Sequence, residues 1–299
     1  MYLKKVSKKI VLITGGKGVL GSYFQKKYKK KYRIIHLPYR LEKFDKIEKW
    51  VKNNNFHFFI HFAAITSKKN KNFNKINLIN KEVPINLINL FQKKFIKNFK
   101  YFLFISSSHV YGFHKKKILE NDKRKPFNKY GNSKKNVEDF IIKNKKKFYF
   151  KIGIARIFNF TSNKQNYGHF LPDVYSKIKN RNNLINLNIN RDFIHIDDVI
   201  RSLELMIKKQ IDKPINICSG KKINLISLTK KLNLMSFNRD LKFINSKKKN
   251  NQDIYGNNNL LKKLGIKKFK NLNIILKSFL HGKKANINNR YLWIIIYRK

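Results

Sequence analysis

Over the first two-thirds of the chain, short apolar runs alternate with lysine-rich stretches whose apolar residues recur every three or four positions. The runs at 9–14, 32–37, 57–63, 101–106 and 150–156 are apolar on both alternating faces, which predicts strands covered from two sides. The stretches 19–30, 45–54, 75–98 and 129–145 carry helical spacing, and Pro84 predicts a helix start or kink inside the third. Strand and helix taking turns in this way predicts an α/β fold: a Rossmann-like doubly wound parallel sheet. Beyond residue 160 the alternation loosens. Residues 160–192 and 221–283 are irregular and rich in Asn and Lys, with helices expected near 197–209 and 224–232. The expected division is a Rossmann domain of residues 1–160 plus about 186–220, and a small C-terminal lobe of about 161–185 and 221–283. Residues 284–299 form a tail, and the polar runs 246–252 and 282–290 read as loop or tail. No internal repeat is present.

The first strand is followed at once by Thr14-Gly15-Gly16-Lys17-Gly18-Val19-Leu20-Gly21. Glycines there permit a tight turn, close approach of backbone to a pyrophosphate, and close packing of the next helix. The helix N-terminus adds N–H groups and positive potential. A glycine pattern alone also suits a plain turn; the strand before it and the helix after it point to a dinucleotide site. The second strand ends His36-Leu37-Pro38-Tyr39-Arg40, with no carboxylate until Glu42. A site selective for NAD carries a carboxylate here for the ribose hydroxyls, whereas Arg40 suits a 2′-phosphate, so NADP is expected in preference to NAD. His61-Phe62-Ala63-Ala64 closes another strand with small residues that let a cofactor approach. Ile105-Ser106-Ser107-Ser108-His109-Val110-Tyr111-Gly112 closes the next with hydroxyls, at the edge where such sheets bind ligands.

Tyr130 and Lys134 stand four residues apart in a helical stretch and so share a face. An ammonium beside a phenol favours the phenolate, which makes a proton-transfer device for oxidising an alcohol or reducing a ketone. In a chain this rich in Tyr and Lys the pair also arises on an ordinary solvated face, so its meaning depends on its neighbours.

Composition changes little in this picture. The formal charge is +53, but of 69 basic residues only ten are Arg, and the lysines run from end to end. Lys, Asn, Ile and Phe share A/T-rich codons, so mutational bias accounts for the charge and no specific nucleic-acid partner is expected. The field would still attract an anionic substrate. The single cysteine, Cys218, cannot form an intramolecular disulfide and suits a reducing compartment. No apolar run reaches membrane-spanning length, and the expectation is a cytoplasmic protein with no membrane partner. The run 292–297 suits a docking strand, an interfacial anchor or a tail equally well.

Taken in order, these motifs resemble the extended short-chain dehydrogenase/reductases of the NAD-dependent epimerase/dehydratase family, from 14–21 through Arg191-Asp192-Phe193-Ile194-His195-Ile196-Asp197-Asp198-Val199 to Cys218-Ser219-Gly220. The resemblance implies a nucleotide-diphosphate sugar as substrate and three catalytic residues. Tyr130 would be the acid/base, Lys134 would hold the nicotinamide ribose and tune Tyr130, and Ser107 would bind the reacting oxygen. Gly15, Gly18, Val19, Leu20, Gly21, Arg40, Phe62, Ala63, Ala64 and Asn80 would join Tyr130 and Lys134 around the cofactor. Ser107, Ser108, Asn159 and Arg191 would face the sugar nucleotide, Asn159 from the strand end Arg156-Ile157-Phe158-Asn159 and Arg191 on the diphosphate. No metal is implied: His61 reads as a neighbour of the cofactor pocket, His195 as structural, and Asp197 and Asp198 as helix-start charges. A homodimer through 75–98 and 129–145 is expected.

Within the family, dehydratases place an acidic residue two before the tyrosine of the serine-tipped motif. Here that position is His109, preceded by Ser108, which disfavours dehydration. The short piece Pro38–Asp45, with Arg40 in it, resembles GDP-keto-deoxyhexose reductases and GDP-fucose synthases, and 156–161 and 214–220 resemble GDP-6-deoxy-mannose reductase. The expected reaction is reduction of the C4 ketone of a 4-keto-6-deoxy sugar nucleotide. A nucleotide-sugar 4-epimerase with bound NAD and a non-catalytic nucleotide- or RNA-binding member of the fold are the alternatives.

Overall fold

A computed structural model of the chain describes residues 8–66, 72–165, 168–244 and 252–283. Along the chain come β1 (Ile10–Thr14), α1 (Val19–Tyr28), β2 (Arg33–His36), α2 (Phe44–Lys52), β3 (Phe58–His61), α3 (Phe73–Asn77), α4 (Val83–Lys94), β4 (Tyr101–Ser107), α5 (Lys129–Asn144) and β5 (Lys151–Ile157). There follow β6 (Asn159–Thr161), α6 (Phe170–Lys179), β7 (Leu184–Ile185), β8 (Asn190–Arg191), β9 (Phe193–His195), α7 (Ile196–Lys209), β10 (Pro214–Ile217), β11 (Ile223–Asn224), α8 (Leu225–Leu234), β12 (Phe243–Ile244) and α9 (Asn259–Leu264).

Two compact units result. The first comprises the described residues of Met1–Gly112, Glu120–Ile157 and Ile200–Ile217. Its sheet has the order β10-β5-β4-β3-β1-β2, every neighbouring pair parallel. The five strands expected from the apolar runs are all present, and β10 adds a sixth. Parallel strands need a crossover on each connection; α1, α2, α4 and α5 lie on the first four and α7 leads into β10 on the fifth, and both sheet faces are therefore covered. All seven residues of β4 are buried. The order reverses between β3 and β1, so the crevice at their carboxyl ends is where such a sheet takes its ligand.

The core under the helices is unusually aromatic. Phe59 packs against Phe102 and Phe91 with ring centroids 4.8 and 5.1 Å apart, and Phe91 in turn meets Phe56 and Phe99 at 5.3 and 5.2 Å. Burial of these rings supplies much of the unit's hydrophobic stabilisation, with tilted and edge-to-face pairing adding about 0.5–1.5 kcal/mol per pair. The stretch 75–98 is helical as expected, but a π turn (Leu78–Glu82) separates α3 from α4. Pro84 sits in the first turn of α4, where its missing N–H costs nothing beyond the widened turn.

The second unit comprises the described residues of Phe113–Leu119, Phe158–Val199 and Cys218–Lys299. Residues 113–119, 158–160, 186–199 and 218–220 group here, which differs from the division expected from the alternation alone. Backbone pairing is the reason. His114 and Ile118 donate to the carbonyls of Asp253 and Tyr255 at 3.0 Å each, β8 pairs with β11, and β9 with β6. A separate core of Leu171, Val174, Leu228, Leu232, Leu276 and Phe279 joins α6, α8 and the helical residues 272–283. The expected tail 284–299 lies outside the described residues, as does most of 246–252.

Candidate active site

The loop after β1 has the geometry its glycines suggest. Gly15 has φ of +64°, and a Cβ there would lie 2.6 Å from the Ala63 nitrogen, so glycine lets β1 and the exit of β3 close on each other. A Cβ on Gly21 would meet the Gly15 carbonyl oxygen at 2.5 Å, which is the close loop–helix packing expected. Gly18 differs: its Cβ would meet only the Gly15 oxygen, at 3.1 Å, and it caps α1 with no side chain. The helix start, through Val19 and Leu20, is thus left with backbone N–H groups and no acidic residue in its first turn.

A cleft of about 500 Å³ opens beside this loop. Gly15, Gly18, Arg40, Phe62, Ala63 and Ala64, all expected around the cofactor, line it. Asn80 shapes the cleft from behind. It is fully buried in the π turn, and its amide both donates to the Ile65 carbonyl and accepts from the Ile65 N–H, each at 2.8 Å. His61 also lies behind the lining. Its Nδ1 is 3.0 Å from Thr14 Oγ1, which accepts the Ala63 N–H at 3.3 Å. Burial, with the Lys134 charge adding to it, pushes the His61 imidazole down to about 3, so it stays neutral.

Ser107, Tyr130 and Lys134 come together in the first unit. Ser107 ends β4, and its Oγ accepts the His109 N–H at 3.2 Å. Tyr130 enters α5 one residue after its start, and burial pushes its phenol up to about 12 against a hydrogen bond with Ser107 that pulls it down. Lys134, one turn on, is 1 % exposed; burial pushes its ammonium down to about 7, opposed by Glu138. The ammonium sits 4.7 Å above the Phe104 ring. The hydrogen bond with Ser107 is what pulls the phenol down against its burial.

A buried polar network supports this cluster from below. Glu138, one turn beyond Lys134 on α5, receives Ser106 Oγ at 2.5 Å and three contacts from Arg156 on β5. Arg156 also donates to the Tyr111 hydroxyl at 2.7 Å, and that hydroxyl donates to Asn216 of β10 at 2.7 Å. Ser106 is thus a structural member of the network. Ser108 is buried at the start of a single 3₁₀ turn, Ser108–Val110.

Asn159 and Arg191 belong to the second unit. Asn159 Nδ2 donates to the Asp192 carbonyl at 3.2 Å, while Arg191 Nη1 donates to the carbonyls of Asn190 and Gln252 at 2.8 and 2.5 Å. Burial pushes the Arg191 guanidinium down to about 10. Asp192, beside it, is fully buried and accepts from Ser219 N, Ser219 Oγ and Gly220 N at 2.7–2.8 Å. Asp197 and Asp198 lie in the first turn of α7, where Asp197 pairs with Lys270 and His195 Nδ1 accepts the Asp197 N–H at 3.1 Å. Among the described residues no three His, Cys, Asp or Glu side chains gather in a metal-binding group, and no helix is long and apolar enough to cross a membrane.

Residues 11–218 match the profile of the NAD dependent epimerase/dehydratase family. The chain belongs to that family. Solved structures agree in fold. RMD from Pseudomonas aeruginosa, complexed with NADPH, superposes with a TM-score of 0.80 at 19 % identity over 93 % of this chain and 100 % of that one. The UDP-N-acetylglucosamine 4-epimerase of Methanobrevibacter ruminantium gives 0.78 at 19 % identity, over 95 % and 99 %. An NAD dependent NDP-hexosamine 5,6-dehydratase gives 0.80 at 16 % identity, over 93 % and 98 %. Among curated proteins, none matches this sequence.

The residues present fit the nicotinamide dinucleotide that the family name implies. Three glycines make a cradle that side chains would fill, a helix start faces it with backbone donors alone, and Lys134 is a buried amine one helical turn from Tyr130. Four residues that position this family site escape sequence reasoning: Gln25, Asn128, Glu138 and the Ile65 backbone held by Asn80. Gln25 Nε2 donates to the Gly16 and Gly21 carbonyls at 2.8 and 3.1 Å, and its Oε1 meets His36 Nε2 at 2.6 Å. Asn128 was the most accessible of the four, since an Asn directly before a helical stretch is a cap signal.

Proposed function

We propose that this chain reduces the C4 ketone of a nucleotide-diphosphate-linked 4-keto-6-deoxy sugar, with NADPH as reductant. The observation that carries the reading is the meeting of Ser107 and Tyr130 beside a motif whose expected carboxylate position holds His109. The nicotinamide, when bound, would supply the hydride that adds to the carbonyl carbon. Ser107 Oγ–H donates to the carbonyl oxygen and stabilises the charge that develops there. Tyr130 then gives its phenolic proton to that oxygen, which a phenol held near 12 retains at neutral pH. Lys134, one helical turn away, would hold the nicotinamide ribose. Val19 and Leu20 N–H groups would take the pyrophosphate, and Arg40 the 2′-phosphate. Asn159 and Arg191 would contact the sugar nucleotide. A homodimer through the outer faces of α4 and α5 belongs to the same proposal, supported by Ile142 of α5 standing 47 % exposed.

Turnover of a panel of keto-sugar nucleotides by NADPH, followed by absorbance, tests the reading. Tyr130→Phe should lower kcat by about 10²–10⁴-fold while cofactor affinity stays unchanged. Undiminished turnover in that variant would sink the mechanism.

A further inference from the structure

The two ends of the sheet in the first unit differ in charge. Lys9 precedes β1, Arg33 opens β2, His57 precedes β3, Lys100 precedes β4 and Lys151 opens β5. The residues that follow these strands, Gly15, Leu37, Phe62, Ser108 and Phe158, carry no charge. Codon bias acts on both ends alike, so it does not account for the asymmetry. Backbone hydrogen bonds set the basic residues in a row. Arg33 N–H donates to the Lys9 carbonyl at 3.1 Å, and His57 N–H joins β1 through the Ile10 carbonyl at 3.0 Å. Lys100 N–H donates to the His57 carbonyl at 2.9 Å and Lys151 N–H to the Lys100 carbonyl at 3.1 Å. At about 4.8 Å per strand the row runs roughly 19 Å.

Lys9, Arg33, Lys100 and Lys151 are exposed and have no ion-pair partner among the described residues. Neighbouring carboxylates are paired already: Asp212 with Lys145 at 3.1 Å, Glu48 with Lys94 at 3.4 Å, and Glu204 with Lys31. Partial burial and the charges of Lys9 and Lys100 push the His57 imidazole down, so it sits neutral among the cations.

An exposed aromatic pair stands at the β4–β5 end of the row. Phe95 ends α4 with φ of +41°, the left-handed region where glycine or asparagine is usual, yet its ring is 71 % exposed. Glycine would make this turn without strain, so the fold itself does not ask for the ring. Tyr149, two residues before Lys151, lies 4.9 Å from it at 46°. Three hydrogen bonds hold Tyr149 in place. Its hydroxyl accepts the Ile96 N–H at 2.8 Å and donates to the Phe91 carbonyl at 3.0 Å, and its N–H donates to Gln92 Oε1 at 3.1 Å.

We propose that this amino-terminal rim is a second binding surface, for single-stranded RNA. The phosphodiester backbone follows Arg33, Lys9, Lys100 and Lys151, and one unpaired base stacks on Phe95. Charge alone would suit any polyanion. The aromatic platform selects one with an open base face, which duplexes lack and RNA loops and ends provide. Contacts to phosphates and to the face of a base read no sequence. The rim lies at the opposite ends of the strands from the cofactor cleft and does not depend on the reaction proposed above.

Fluorescence anisotropy of a short labelled oligouridylate with the full chain, over a salt series, tests this. Exchanging Lys9, Arg33, Lys100 and Lys151 together for Gln should reduce the slope of log affinity against log salt by about 3, at about 0.7 for each of four phosphates. Phe95→Ala should weaken binding about tenfold and leave the slope unchanged, because stacking releases no counterions. Phe95→Gly should lose RNA to the same extent while melting above Phe95→Ala, which separates lost binding from lost folding. A control exchanging Lys230, Lys231, Lys262 and Lys263 for Gln removes the same charge from the second unit and should keep the wild-type slope to within about 1. Tyr130→Phe should bind RNA as the wild type does, so failure of the catalytic reading leaves this test intact. Equal losses in the rim and control variants would reduce the binding to the overall field of the chain and overturn the proposal. So would wild-type affinity in Phe95→Ala. Binding to anionic phospholipid vesicles that depends on Phe95, with none to RNA, would also overturn it and assign the rim to a membrane surface.

Discussion

Arg156 and Glu138 meet in the interior of the first unit, with Nε at 3.1 Å from both carboxylate oxygens and Nη2 at 2.6 Å from Oε2. Neither residue is more than 1 % exposed. The pair ties β5 to the helix that carries Tyr130 and Lys134, and Arg124 adds a second guanidinium at 3.0 Å. Arg156→Met would leave the carboxylate buried with one cation fewer, and the expected loss is about 3–5 kcal/mol, read as a lower urea midpoint. Replacing both partners, as Arg156→Met with Glu138→Leu, should recover a large part of that loss. A double variant as unstable as the sum of the singles would show that the pair's worth lies outside the charge balance.

Lys134 predicts an unusual pH dependence of stability. Its folded value of about 7 lies below the ordinary 10.5, so between these limits the unfolded chain binds more protons than the folded one. Stability of the cofactor-free chain therefore rises with pH from about 7 towards 10.5 as far as this group decides, and the cost of burying the charge is fully present below 7. Lys134→Met should raise stability near pH 6 by on the order of a few kcal/mol and flatten the slope above 7. Thermal unfolding of both proteins from pH 6 to 10 measures it; parallel curves would refute the assignment.

The glycines of the first loop separate folding from binding. A methyl at Gly21 runs into backbone at 2.5 and 2.8 Å, whereas one at Gly18 meets only the Gly15 oxygen at 3.1 Å. Gly21→Ala should lower the melting temperature by several degrees. Gly18→Ala should fold nearly as well and lose NADPH affinity at least tenfold, because its methyl stands where the pyrophosphate would lie. Calorimetry and cofactor titration on the same samples decide between these roles.

Much of this architecture was readable because its signals are local. The apolar runs that became β1 to β5 and the glycine spacing at 15, 18 and 21 each lie within a dozen residues. So does the four-residue step from Tyr130 to Lys134. The strand β10 was harder: Pro214–Ile217 has only two apolar residues after its proline, and its burial comes from pairing with β5. What escaped entirely is contact at long separation. Nothing in the spacing of 138 and 156 marks an ion pair, nor that of 65 and 80 a double hydrogen bond. The state of Lys134 could not be read either, since its charge depends on burial by residues from β4 and α5 together.

Arg40 carries the last prediction, on cofactor choice. β2 ends at His36, whose Nε2 meets Gln25 Oε1 at 2.6 Å while Gln25 Nε2 holds the Gly16 carbonyl. An imidazole tied to the glycine loop thus takes the place where a carboxylate would receive ribose hydroxyls. Glu42, the nearest carboxylate in the sequence, shares the cleft lining with Arg40 but is paired to Lys75 at 3.8 Å. Arg40 is exposed, so its guanidinium can turn to a 2′-phosphate at little conformational cost. Arg40→Ala should weaken NADPH binding by about 10–100-fold, the worth of a charged hydrogen bond, and leave NADH binding unchanged. The NADPH affinity of the wild type should also fall more steeply with salt than that of the variant. Equal losses for both cofactors would mean that Arg40 shapes the cleft and does not read the phosphate.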